Sequence, residues 1–191
     1  MRNALDSFEV EGIGHNLPFL SAVMDHPKFI SGEMTTAFIE EEYPEGFEGV
    51  TLGDVALRNI AAACAAMNRV AEIRRARISG TLDNHERHVG EEWNVALQGH
   101  DFNVTIAADH DGSTVCFADG NEIRVSGDWT PGDQLARMTV NGDPLVMKVG
   151  KVSGGFRIRS RGAELKVHVR TPRQAELARK MPEKVPPDTS K

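Results

Sequence analysis

The 191-residue sequence lacks any apolar run approaching the ~20 residues that cross a bilayer as a helix, which excludes a helical membrane span from its expected elements. Met1 to Asp6 is followed by neither an apolar signal core nor a small-residue cleavage site, so nothing marks secretion and the chain reads as intracellular. Cysteine is scarce: Cys64 and Cys116 stand far apart with no partner pattern, which argues against a disulfide framework and marks both as small buried hydrophobes. Positive charge is in deficit, 22 basic against 28 acidic residues, and a net charge of -6 gives no general attraction for phosphate backbones. The two basic patches, Arg69 to Arg77 and Arg157 to Arg161, alternate with apolar residues as a helix end and a strand do, so no nucleic-acid partner is expected.

Recognisable reaction motifs are absent as well. Gly12-Ile13-Gly14 is neither a phosphate loop nor a dinucleotide fingerprint. Asp109-His110-Asp111-Gly112 pairs a carboxylate with an imidazole, but it sits at a hairpin tip without a nucleophile. His85-Glu86-Arg87-His88 supplies two histidines on a loop where a zinc site needs three or four ligands. The Met147-Lys148 pair lies inside a strand, whereas a biotinyl lysine sits at a hairpin tip, and the flanking alanine and second methionine of the biotinyl motif are missing here. No catalytic, cofactor-binding or metal residue is therefore expected in this chain.

What is present is a long helix followed by alternation. No proline or glycine interrupts Val55 to Ile78, and Thr51 or Asp54 can cap the start, so one helix is expected over 52–78. Its first half, Ile60 to Met67, is uncharged on every face and should be enclosed; its second half carries Arg69, Glu72, Arg74, Arg75 and Arg77 and should be largely exposed. Small alanines either reflect helix propensity alone or thin the helix so that it enters a narrow space. The polar stretch Thr81-Leu82-Asp83-Asn84-His85-Glu86-Arg87-His88-Val89, within a loop over 79–91, follows neither helical nor strand periodicity. Beyond Glu92 the period becomes two, through eight segments from Trp93-Val95-Leu97 to Leu165-Val167-Val169. The breaks, among them Gly99-His100, Asp111-Gly112, Asn141-Gly142 and Arg161-Gly162, are hairpin turns.

Eight strands joined by short turns predict an up-and-down barrel over 92–171, with a Greek-key sandwich as the alternative. The expected fold class is α+β: a long, partly enclosed N-terminal helix with an eight-stranded antiparallel barrel. A helix of roughly 36 Å exceeds strands of ~23 Å, so if its alanine half plugs the barrel its arginine half must project from one mouth. Before the helix, Phe8, Val10 and Ile13 suggest a short strand, and Asn16 caps a helix that stops near His26-Pro27. The rest, to about residue 50, reads as irregular and acidic. The tail offers a short helix from Gln174 to Lys180 and then a proline-bearing linker.

His15-Asn16-Leu17-Pro18-Phe19-Leu20, His26-Pro27-Lys28-Phe29 and Thr35-Thr36-Ala37-Phe38-Ile39 resemble the end of the biotin carboxylase domain in α subunits of bacterial propionyl-CoA carboxylase. Ser153-Gly154-Gly155-Phe156-Arg157-Ile158 is similar to the middle domain of those subunits. The resemblance implies that residues 1–50 close a biotin carboxylase domain and that 51–171 form the BT domain, which links biotin carboxylase to carboxyltransferase. Residues 172–191 would lead to a biotin carrier domain. It further implies a non-catalytic assembly role, with Thr81 to Val89 as a hook onto the carboxyltransferase β subunit and Leu82, His85, Arg87 and His88 as candidate anchors. The parent enzyme of such a family uses biotin, and ATP with Mg and bicarbonate, to convert propionyl-CoA to methylmalonyl-CoA. A cytoplasmic setting, or the mitochondrial matrix in a eukaryote, goes with it. Two other readings stand beside this one: the equivalent domain of methylcrotonyl-CoA carboxylase, and a barrel holding a small apolar ligand in an open lumen.

Overall fold

The stretch without proline or glycine becomes helix α5 (Asp54–Ala76) in the structure, a computed structural model that describes residues 2–8, 10, 14–77 and 87–181. Its N-cap is Gly53, neither Thr51 nor Asp54, and no side chain caps it; Asp54 falls instead in the first turn, where its charge complements the helix dipole. Ile78, the expected last residue, lies outside the described residues.

The alternating segments become β1 (Glu92–Leu97), β2 (His100–Asp109), β3 (Gly112–Phe117), β4 (Glu122–Gly127), β5 (Leu135–Val140), β6 (Asp143–Val152), β7 (Gly155–Ser160) and β8 (Ala163–Arg170). Each pairs antiparallel with its chain neighbour, and β8 returns to β1 through Asn94↔Arg170 and Ala96↔His168, closing the barrel. Closure leaves no edge strand unpaired, which disposes of the sandwich alternative. Hairpins turn on paired positive-φ residues at Gln98-Gly99, Asn141-Gly142 and Arg161-Gly162, so the first break is one residue earlier than expected and His100 already belongs to β2.

The helix fills the barrel. Ala61, Ala62, Ala63, Cys64 and Ala65 are each 0% exposed, so all faces of that turn are covered. They share one core with the inward side chains of every strand, including Val95, Ile106, Val115, Val125, Ala136, Met147, Ile158 and Val167. An eight-stranded barrel ordinarily has room only for side chains, so a backbone fits inside only where its own side chains are short. The strands nearest the helix are β1 to β5 and β8. Towards β6 and β7 the core is made by larger groups, Met147, Phe156, Ile158 and Trp129, whose indole meets Phe156 edge-on at 5.8 Å.

Gly155 explains part of the Ser153-Gly154-Gly155 motif. A Cβ there would lie 1.9 Å from the Val167 carbonyl oxygen and 2.9 Å from His168 Cα, so the start of β7 can lie this close to the end of β8 only without a side chain. Outside the barrel, α6 (Pro172–Arg179) starts on a capping box between Thr171 and Gln174 and buries Ala175 against the β1–β8 seam. It covers Asn94, which is buried on the outer face of β1 and donates to Asn103 Oδ1 at 2.9 Å and to Asp101.

The first fifty residues depart most from expectation. Instead of a strand at Phe8 and Val10, the described residues show helix α1 (Arg2–Ser7) with Phe8 and Val10 in no strand; Ile13 lies outside the described residues. Helix α2 (Leu17–Asp25) starts after Asn16 and stops at His26 as expected, although Asn16 makes no side-chain cap. The stretch read as irregular contains two further helices, α3 (Pro27–Ser31) and α4 (Phe38–Glu42). Pro27 both ends α2 and begins α3, and its predecessor His26 caps α3 by accepting from the Lys28 amide at 3.3 Å. Phe38 is buried with His26 and Tyr43 edge-on to it, and Phe19 and Phe47 join the cluster edge-on through Tyr43.

Candidate functional site

Because β1 runs back from the loop after α5, the helix leaves the barrel at the mouth where β1 begins and β8 ends. At 1.5 Å per residue α5 is about 35 Å long against roughly 20 Å for six-residue β1, so its last turns stand clear of the rim. Val70, Arg74, Arg75 and Arg77 are exposed there. The separation into buried and exposed halves is not complete: Asn68, Ala71 and Glu72 remain buried, a stripe of helical spacing that lies against the rim.

Glu72 organises this mouth. Its side chain is 11% exposed and accepts from two guanidiniums, Arg75 one turn on and Arg87 at 2.5 Å across the loop. Arg87 lies fifteen residues beyond Glu72 in the later part of the loop, so the ion pair ties the loop's returning end to the helix that it left. Val89 packs on the barrel core two residues later, and His88 between them is exposed. On the opposite rim the β4–β5 loop is held by Asp133, which accepts from the Thr130 amide and hydroxyl at 3.0 and 2.7 Å. The indole of Trp129 donates to the Asp133 carbonyl at 3.0 Å. Arg74 reaches the Pro131 carbonyl of the same loop at 3.4 Å.

Of the residues assigned to the hook, Thr81, Leu82, Asp83, Asn84, His85 and Glu86 lie outside the described residues. Arg87, His88 and Val89 are placed at the root. The Glu72–Arg87 pair joins residues fifteen apart across a loop without periodicity, and no local spacing in the sequence signals it.

Other motifs fall where turn and strand chemistry put them. Asp109 receives both Arg124 nitrogens and the Asp111 amide, and these hydrogen bonds hold its carboxyl down to about 2. His110 beside it is fully exposed. Met147 is buried and Lys148 follows inside β6, away from any hairpin tip, donating to the Phe8 carbonyl. The cysteines are free, and burial pushes the thiol of each above its ordinary range. Cys116 is only half-buried, contrary to expectation, because it occupies the outward position between inward Val115 and Phe117. Among the described residues no group of three or more His, Cys, Asp or Glu could hold a metal ion, and no helix is long and apolar enough to cross a membrane.

The family model of the propionyl-coenzyme A carboxylase BT domain matches residues 60–184, and that of the biotin carboxylase C-terminal domain matches residues 1–41. The chain belongs to the propionyl-coenzyme A carboxylase BT domain family. It is 79% identical over 191 residues to the propionyl-CoA carboxylase alpha chain of Ruegeria pomeroyi, covering all of this chain and 28% of that one. The mitochondrial propionyl-CoA carboxylase alpha chain of Mus musculus is 31% identical over 198 aligned positions, again across all of this chain and 27% of its own length. A biotin carboxylase of Halalkalibacterium halodurans is 53% identical over 36 residues, 19% of this chain and 8% of the relative. The chain thus spans little more than a quarter of the length of the alpha chains it matches.

Proposed function

We propose that this chain is the assembly module of a propionyl-CoA carboxylase alpha chain, and that the projecting end of α5 with the loop over 79–91 binds the carboxyltransferase β subunit. The observation that carries the reading is the mouth itself: a helix end stands beyond the rim, and the loop that leaves it is tied to that helix by the Glu72–Arg87 pair. A loop with a fixed root presents its tip at less entropic cost than a free one. Residues 1–50 belong on this reading to the biotin carboxylase domain, 51–171 to the BT domain, and 172–191 to the linker towards the carrier domain. Biotin, ATP with Mg, and propionyl-CoA chemistry reside elsewhere in the complete enzyme, and this portion contributes no catalytic residue. The names of the relatives favour the propionyl over the methylcrotonyl branch, and they suit either a bacterial cytoplasm or a mitochondrial matrix.

The rival reading, a small apolar ligand inside the barrel, needs a lumen that α5 occupies. Sizing chromatography of this chain mixed with the β subunit tests the proposal. Co-elution is expected, weakened at least about 30-fold by Leu82→Ala or His85→Ala if these are anchors of the ~2 kcal/mol class. Failure to co-elute under conditions where the complete alpha chain binds would overturn it.

A further inference from the structure

The mouth through which α5 enters the barrel carries the β7–β8 hairpin, since β8 begins where β1 ends. At its tip, Arg161 and Gly162 form a tight turn with φ of 53° and 79°. The helices α1 and α2 are seated on this turn. A Cβ on Gly162 would lie 2.5 Å from the Pro18 carbonyl oxygen, 3.2 Å from Val50 Cγ2 and 3.4 Å from the Ala22 amide, so glycine serves a close approach as well as a turn. The Arg161 amide donates to Asp6 Oδ1 at 2.9 Å, while its guanidinium lies 3.5 Å from both Asp6 Oδ2 and Asp25 Oδ1. Asp6 is 4% exposed, and burial raises the pKa of its carboxyl against the opposing pull of Arg161. Lys148, from the adjacent β6, holds the Phe8 carbonyl.

We infer that the Arg161-Gly162 turn is a docking site for the end of the biotin carboxylase domain, fixing that domain's orientation at the barrel mouth opposite the hook. Two independent features support a specific seat. The close approach at Gly162 is one that no other residue permits, and a buried carboxylate from the docked segment meets an arginine that would otherwise have no reason to stand at a hairpin tip. Neither the class of the family nor the hook reading assigns this turn a role. The seat itself rests on contacts within this chain; the identity of the docked segment, and the consequence that the barrel separates two partners by its own length, rest on the assembly reading.

Amide hydrogen exchange of this chain, without β subunit, tests the seat. Arg161→Asn keeps a residue that tolerates positive φ and removes the cation; Gly162→Ala adds the Cβ. Gly142→Ala is the control, because Gly142 has φ of 91° in an equivalent turn but nothing within 4 Å of its Cβ position. Expected is at least a tenfold rise in exchange over α1 and α2 for the first two variants, with barrel-strand protection retained, and no rise over α1 and α2 for the control. Unchanged protection of α1 and α2 in Arg161→Asn, or an equal rise in the control, would overturn the inference. A failed association between hook and β subunit would leave these outcomes readable.

Discussion

Replacing the small residues of α5 one at a time gives the sharpest test of the plugged barrel. Ala61, Ala62, Ala63 and Cys64 are all fully enclosed and advance by about 100° each around the helix, so together they sample every face. Were α5 lying on the outside of a sheet, at least one of the four would face solvent, and leucine there would change stability by less than about 0.5 kcal/mol. Inside the barrel each leucine adds three carbons at an alanine, or exchanges a sulfur for three carbons at Cys64, where strand side chains already touch, and overpacking of this kind costs about 1–3 kcal/mol. With a urea slope near 2 kcal/mol/M, the expected displacement of the unfolding midpoint is roughly 0.5–1.5 M for every one of Ala61→Leu, Ala62→Leu, Ala63→Leu and Cys64→Leu. Val70→Ala, at a position 43% exposed on the projecting turns, should leave the midpoint within error. A single tolerated leucine among the four would refute the claim that the barrel surrounds the helix.

Further outcomes follow from individual contacts. Gly155→Ala must displace either β7 or the Val167 carbonyl, and a loss of about 2–3 kcal/mol or outright unfolding is expected in thermal melts; a melt like that of wild type would show that the strands have slack. His168 has a lowered pKa because of burial, with Arg170 adding repulsion. Below about 6.5 the unfolded chain binds a proton that the fold disfavours, so the stability present above that pH declines as pH falls towards the lowered folded value. His168→Gln should flatten the dependence of denaturation free energy on pH between 7 and 5, and an unaltered slope would remove His168 as its source. Glu72→Gln should weaken association with the β subunit by about tenfold, on the scale of a charged hydrogen bond, while barrel strands keep their exchange protection; equal affinity would show that the root clamp does not position the loop.

Helix and barrel were legible because their patterns are repeated many times and depend on local chemistry: eight alternations, hairpin residues at their breaks, and a glycine-free helix. Even Cys116 could have been placed correctly, since a period of two that points Val115 and Phe117 inward must point Cys116 outward. The first fifty residues were less legible for a physical reason. Phe8 and Val10 alternate as a strand would, yet among the described residues neither pairs with a strand, and the helix just before them meets the β7–β8 turn through Asp6. Pro27 looked like a stop, and it is one, but its fixed φ starts the next helix as readily as it ends the last. At the candidate site the missing element was the pairing of Glu72 with Arg87, which depends on where a loop lands.

The filled barrel also bears on how this domain can transmit position. A hollow eight-stranded barrel could shear and change the spacing of its mouths, whereas one packed around a helix resists this, because sliding any strand disturbs side chains interleaved with α5. The helix runs from one mouth to the other and is tied at both. Arg58 lies 2.7 Å from Asp119 and within 5.4 Å of the Phe102 and Phe117 ring centres where it enters. Glu72, Arg74 and the loop root hold it where it leaves. A displacement imposed on the projecting end must therefore move the barrel as a body, and with it whatever is seated on Arg161 and Gly162. The alanines make this possible: larger residues could not enter, and a polar helix inside would leave its side chains without partners.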